Sequence, residues 1–234
     1  MTISPEHIIT SAINALHARA SDLDLEQAVR GIDSLNETQI HEIIAQGLLS
    51  AGLGVFREAY YPSDGDAYTG STRRQRCDIA LTNTPDIKLI DPIDELKQEA
   101  QAADTLFAGM VQAAHDTHTT ATPENAHWIE IKATSLYAYR DGIPGPNPSY
   151  GNDITNGLQT DLCKISSDPL IWHGSSMLIL FTDSEDSARR DLQNASQVCL
   201  DNDIPVRTPL IECAPITDRA GNACVGIGLY QLSI

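Results

Sequence analysis

The stretch His127-Trp128-Ile129-Glu130-Ile131-Lys132-Ala133 decides how this chain is read. Successive side chains of a strand point to opposite faces. Ile129, Ile131 and Ala133 therefore point into one core, and Trp128, Glu130 and Lys132 share the other face. A carboxylate and an ammonium group lose hydration when buried together unless they pair or carry chemistry. Upstream, Gln75-Arg76-Cys77-Asp78-Ile79-Ala80-Leu81 reads as a second strand with an isolated Asp78 at its centre. One aspartate, then a Glu-x-Lys on a later strand, is minimal equipment for holding a divalent metal beside a phosphodiester.

The flanking sequence supplies the rest of a sheet. Ser4 and Pro5 open an amphipathic helix expected to run to Arg19. A short helix is expected over 25–32, and a stronger one from Asn36 to about Leu53, with Gly52 and Gly54 as stops. Val55–Tyr61 reads as the first strand and Pro62–Ser71 as a loop. Residues 87–90 suit a short extra strand, 92–115 a helix, and 141–151 a loop rich in Gly and Pro. A helix over 154–166 precedes the continuous apolar run Met177–Phe181, typical of a buried strand. Ser184 caps a helix to about Asp201, and the tail forms a hairpin. The expected fold class is α/β: a central mixed β-sheet flanked by helices. The expected organisation is one domain over 1–234, with N-terminal helices (1–35), a core (36–182) carrying an insertion (85–126), and a C-terminal helix and hairpin (183–234).

The chain has 234 residues, of which 41% are hydrophobic, enough for a sizeable aliphatic core. It has no apolar run long enough to cross a bilayer and no signal-like N-terminal pattern, so a cytoplasmic protein is expected. Its five cysteines include no C-x-x-C pair, which argues against a zinc site or a disulfide framework. The net charge of −17 works against a polyanionic partner. However, the 85–126 stretch is rich in acids, and Arg73, Arg74 and Arg76 cluster just before Asp78.

Mg²⁺ takes hard oxygen ligands at about 2.0–2.1 Å and keeps several waters. Asp78 and Glu130 are the expected ligands, with the Ile131 backbone carbonyl between them. Lys132, on the same face as Glu130, is placed to orient or deprotonate an attacking water. Glu42, beside the apolar stripe of its helix, is a further carboxylate within the set.

This arrangement resembles the PD-(D/E)xK, or restriction-endonuclease-like, nuclease superfamily. The resemblance rests on Asp78 in Cys77-Asp78-Ile79-Ala80, on Glu130-Ile131-Lys132, on the helix carrying Glu42 before the sheet, and on Asp161-Leu162-Cys163-Lys164-Ile165, which looks like the D-x-x-K-L element of some bacterial members. It implies an αβββαβ core and Mg²⁺- or Mn²⁺-dependent hydrolysis of nucleic acid, DNA foremost. It also implies Asp78, Glu130 and Lys132 as the active-site triad, Glu42 in support, and a homodimer by analogy. Arg73, Arg74, Arg76 and Lys164 are the expected contacts to nucleic acid.

Plainer readings exist for each feature. Alternating charge keeps many edge strands soluble, and Asp161 and Lys164, three apart on a helix, can simply pair. Two other functions stay open. One is a nuclease fold turned into an acidic binding or regulatory protein for a basic partner. The other is a metal-dependent hydrolase of a small phosphorylated substrate.

Overall fold

Ser4 Oγ accepts from the His7 N–H (3.4 Å), capping helix α1 (Pro5–Leu25). This helix runs past Arg19 because Ala20 and Leu23 continue its buried stripe. The expected second helix over 25–32 does not form. Gln27 takes a left-handed conformation (φ 53°), and only a short 3₁₀ turn, Ile32–Ser34, follows. Helix α2 (Glu37–Ser50) opens with a reciprocal box between Asn36 and Gln39. Gly52, at φ 88°, turns the chain out of it.

The computed structural model describes residues 3–63, 74–103 and 119–233. Its strands are β1 (Gly54–Tyr60), β2 (Arg76–Thr82), β3 (Lys88–Leu89), β4 (Thr120–Ala121), β5 (His127–Ser135), β6 (Tyr137–Arg140), β7 (Ile143–Pro146), β8 (Gly174–Thr182), β9 (Leu210–Pro215) and β10 (Cys224–Gln231). The later helices are α3 (Pro92–Ala103), α4 (Leu158–Ser166) and α5 (Glu185–Asp201). The expectation that α3 continues to 115 falls partly outside the described residues. The 141–151 loop is partly structured: Asp141 (φ 51°) and Gly142 (φ 82°) turn β6 into β7. An Asp-Gly pair is a hairpin signal, because the tight turn needs positive φ at both positions.

Six strands form one mixed sheet in the order β1-β2-β5-β8-β10-β9. Only β5 and β8 run parallel; the other neighbours are antiparallel. The chain is thus α/β with a mixed central sheet. Helices α1 and α2 cover the face carrying Ile79, Ile129, Ile131, Met177 and Ile179. Helices α4 and α5 cover the face carrying Ala80, Trp128, Leu178 and Leu180. Trp128 is buried under the second layer, with its indole N–H donating to the Pro123 carbonyl (3.0 Å).

The sheet is split at one point, and the split positions the site. The β2–β5 ladder covers Leu81↔His127, Ala80↔Trp128 and Ile79↔Ile129, then stops. Beyond it the Asp78 carboxylate, not a backbone carbonyl, receives the Ile131 N–H (2.7 Å). Facing Asp78 on β1, Glu58 takes φ 53° and drops out of an otherwise regular register. A bulky residue with positive φ inside a strand is strained, and such strain persists only where the surroundings hold it.

Candidate functional site

Asp78 and Glu130 lie on the same sheet face, at the mouth of the split. Glu130 is 3% exposed, although it is a carboxylate. Burial at that depth costs several kcal/mol unless partners replace the lost water. Two partners do so at one oxygen: the Tyr61 hydroxyl donates to Glu130 Oε1 at 2.5 Å, and Lys164 Nζ donates at 2.6 Å. Lys164 also donates to the Arg76 carbonyl (3.2 Å) and lies over the Tyr61 ring. Burial and the neighbouring Asp78 push Glu130 up to about 7, against the pull of Lys164 and Tyr61. Asp78 is also raised by burial, while the Ile131 N–H and a hydrogen bond with Glu130 hold it down. Each carboxyl is thus raised by burial, and Glu130 also by the neighbouring Asp78, as like charges at close range do.

Lys132 shares the face of Glu130, as its parity requires, but its ammonium lies 3.0 Å from Glu37 Oε1 on α2. Its stem runs along Gly157, at the end of a π-helical turn (Asp153–Gly157) that leads into α4. Asp161, on α4, is pushed up to about 6 by burial and by Glu130. The cluster therefore sets four carboxyls (Glu37, Asp78, Glu130, Asp161) against two ammonium groups (Lys132, Lys164).

The structure brings together Asp78, Glu130, Lys132, Lys164 and Asp161 from the sequence-derived set. It does not bring in Glu42. That side chain is 63% exposed, 3.9 Å from Arg57, and lines a groove between α1 and α2. The α2 residues that reach the site are Glu37 and His41. His41 Nδ1 lies 3.7 Å from Asp78 Oδ1, its Nε2 has no hydrogen-bond partner among the described residues, and burial depresses its pKa. Glu37 and His41 sit on the same helix face as the buried Ile40, Ile44 and Leu48, and that one-turn spacing was the signal available in sequence. Tyr61 had no such signal, because it lies just past β1.

Arg74 is not free to meet nucleic acid. Its guanidinium grips Asp91 through two bonds (2.6 and 3.1 Å) and donates to the Tyr61 carbonyl (3.0 Å). Arg76 is half exposed; it lies over the Tyr60 ring and donates to the Tyr60 hydroxyl (2.9 Å). Lys164 is committed to Glu130, and Arg73 lies outside the described residues.

Among the described residues, no three Asp, Glu, His or Cys side chains converge on one point fit for a metal ion. The donor chemistry still suits a hard cation at two positions. Asp78 and Glu130 are oxygen donors that repel each other, and the surrounding cluster has an excess of carboxyls. Mg²⁺ is commonly held by one or two carboxylates with water completing its shell. No family model matches the chain, and no curated protein matches it either.

Proposed function

We propose that the chain is a metal-dependent nuclease that hydrolyses phosphodiester bonds of nucleic acid, with DNA as the expected substrate. The observation that carries this reading is the split between β2 and β5, which sets the half-buried Asp78 carboxyl beside the buried Glu130 carboxyl, with two lysines nearby. Support also comes from the order of elements from α2 through β1, β2, β5 and α4 to β8, the αβββαβ order of the PD-(D/E)xK superfamily. Asp78 and Glu130 would hold Mg²⁺ or Mn²⁺. Such a cation, when bound, polarises a phosphate ester and makes a nearby water more acidic.

The chain's own residues divide the remaining work. Lys164 and Tyr61 fix one oxygen of Glu130 and so aim the other. The Ile131 N–H orients Asp78. Lys132, on its Gly157 support, is the ammonium available to a phosphate once it leaves Glu37. Asp161 balances the two lysines.

The test is cleavage of plasmid, linear and single-stranded DNA and of RNA, with Mg²⁺ or Mn²⁺. Cutting that is lost in Asp78→Asn and in Lys132→Ala supports the reading, and normal cutting by both variants refutes it. A second reading is favoured by the net charge of −17: a nuclease-like fold serving as an acidic binding module for a basic protein. That reading requires a folded protein that neither cuts nor responds to either metal.

A further inference from the structure

A separate cavity of about 370 Å³ opens where β5 and β8 begin and β10 ends, roofed by the first turn of α1. Its floor is His127, which is 4% exposed and has its Nε2 2.8 Å from Ser175 Oγ. Its walls include Trp172, His173 and Arg207. His127 stands three residues before Glu130 on β5, roughly 10 Å away, and points to the opposite sheet face. The cavity is therefore distinct from the Asp78–Glu130 cluster.

Two features of the lining are available to a ligand. Trp172 is 62% exposed, whereas the other tryptophan, Trp128, is 1% exposed. An indole face left in water retains its hydrophobic cost and offers a stacking platform. The Arg207 guanidinium has no ion-pair or hydrogen-bond partner among the described residues. An arginine fork is shaped for planar or tetrahedral oxyanions. The His173 ring lines the same side, and the N-terminal end of the 21-residue helix α1 adds positive potential there. Glu6, the one acid among the described lining residues, accepts from Ser4 Oγ (2.6 Å). On a chain of net charge −17, the cavity thus sets an arginine beside an exposed aromatic face.

We propose that this cavity binds a small ligand that joins a planar heterocyclic ring to an anionic group, of the class of a nucleoside monophosphate. The ring stacks on Trp172, and the anion meets Arg207 and His173. A volume near the lower end of the roughly 300–1,000 Å³ usual for small-molecule sites fits one such unit. The assignment does not depend on the nuclease reading.

The test is titration of 5′-AMP into the full chain, followed by tryptophan fluorescence and calorimetry. Saturable binding with quenching is expected, with adenosine and inorganic phosphate each binding at least about tenfold more weakly. Arg207→Gln, on an exposed residue, is expected to weaken 5′-AMP by about tenfold or more. Trp172→Phe keeps binding, Trp172→Leu loses it, and Asp78→Asn leaves it unchanged. The proposal is overturned by no saturable signal at millimolar 5′-AMP, by phosphate binding as well as 5′-AMP, by binding that survives both Arg207→Gln and Trp172→Leu, or by loss in Asp78→Asn.

Discussion

Lys164 of α4 reaches across to within 2.6 Å of Glu130 on β5, while Lys132, two residues from Glu130 on the same strand, reaches away to Glu37. The geometry of a strand explains the exchange. Residues i and i+2 share a face but stand about 6.6 Å apart along it. Lys132 would have to fold back to touch Glu130, whereas a helix packed over that face delivers Lys164 directly. Two lysines thus have different work, and Glu37, Asp78 and Glu130 each take a partner from an element remote in sequence.

Lys164→Met is expected to leave Glu130 buried with only the Tyr61 hydroxyl as partner. Because Lys164 is part-exposed, the expected loss is about 1–3 kcal/mol at neutral pH, in the range for a hydrogen bond to a charged group. Lys132→Met, which touches the more exposed Glu37, is expected to cost less than about 1 kcal/mol. Urea unfolding of the two variants checks the ranking, and equal losses would mean that Lys164 does not hold Glu130.

The metal-free protein is expected to lose stability as pH rises from about 4.5 to about 7, the interval over which the Glu130 pKa is raised. The native state holds that proton more tightly than the unfolded chain, so unfolding free energy falls with pH across this window, by at most about 3 kcal/mol. His127 works in the opposite sense: burial lowers it from 6.5 to about 4, so its contribution rises over that interval. Subtracting the pH profile of Glu130→Gln from that of the wild type cancels His127. A flat difference between pH 4.5 and 7 would contradict the raised Glu130.

Mg²⁺ or Mn²⁺ is expected to raise the melting temperature by removing the repulsion between Asp78 and Glu130. At a hundred times the dissociation constant the gain is about 2.7 kcal/mol. Asp78→Asn is expected to abolish the shift, and Glu42→Ala to leave it intact. A shift that disappears with Glu42→Ala would place the metal elsewhere.

Gly47→Val is expected to destabilise the protein by about 1–3 kcal/mol through overpacking. A Cβ at Gly47 would collide with the Cβ of Ala15, where α1 and α2 cross above the sheet. Thermal or urea unfolding checks this, and a neutral result would show that the two helices separate easily.

Much of the fold was legible in the residues. Period-two alternation in Ile129–Ala133, the apolar run Met177–Phe181 and the caps at Ser4, Asn36 and Ser184 depend on near neighbours, and each appears where expected. The hairpin at Asp141-Gly142 was written in a turn signal that the surrounding Gly and Pro obscured. The N-terminal helix was underestimated because its last turns are held by packing under Ile32 and the sheet, not by strong local propensity.

By itself, then, the sequence determined the α/β class and the shared face of Glu130 and Lys132, because alternation and capping act over a few residues. Tertiary structure decided which groups meet them. Whether α2 turns Glu42 or Glu37 and His41 inward depends on the rotation of a helix whose stripe is bordered by all three. The pairing of Lys164 with Glu130, the commitment of Arg74 to Asp91, and the convergence of Trp172 and Arg207 beside α1 all join residues far apart in the chain. Such contacts follow from how layers stack around a split sheet, which no local spacing encodes.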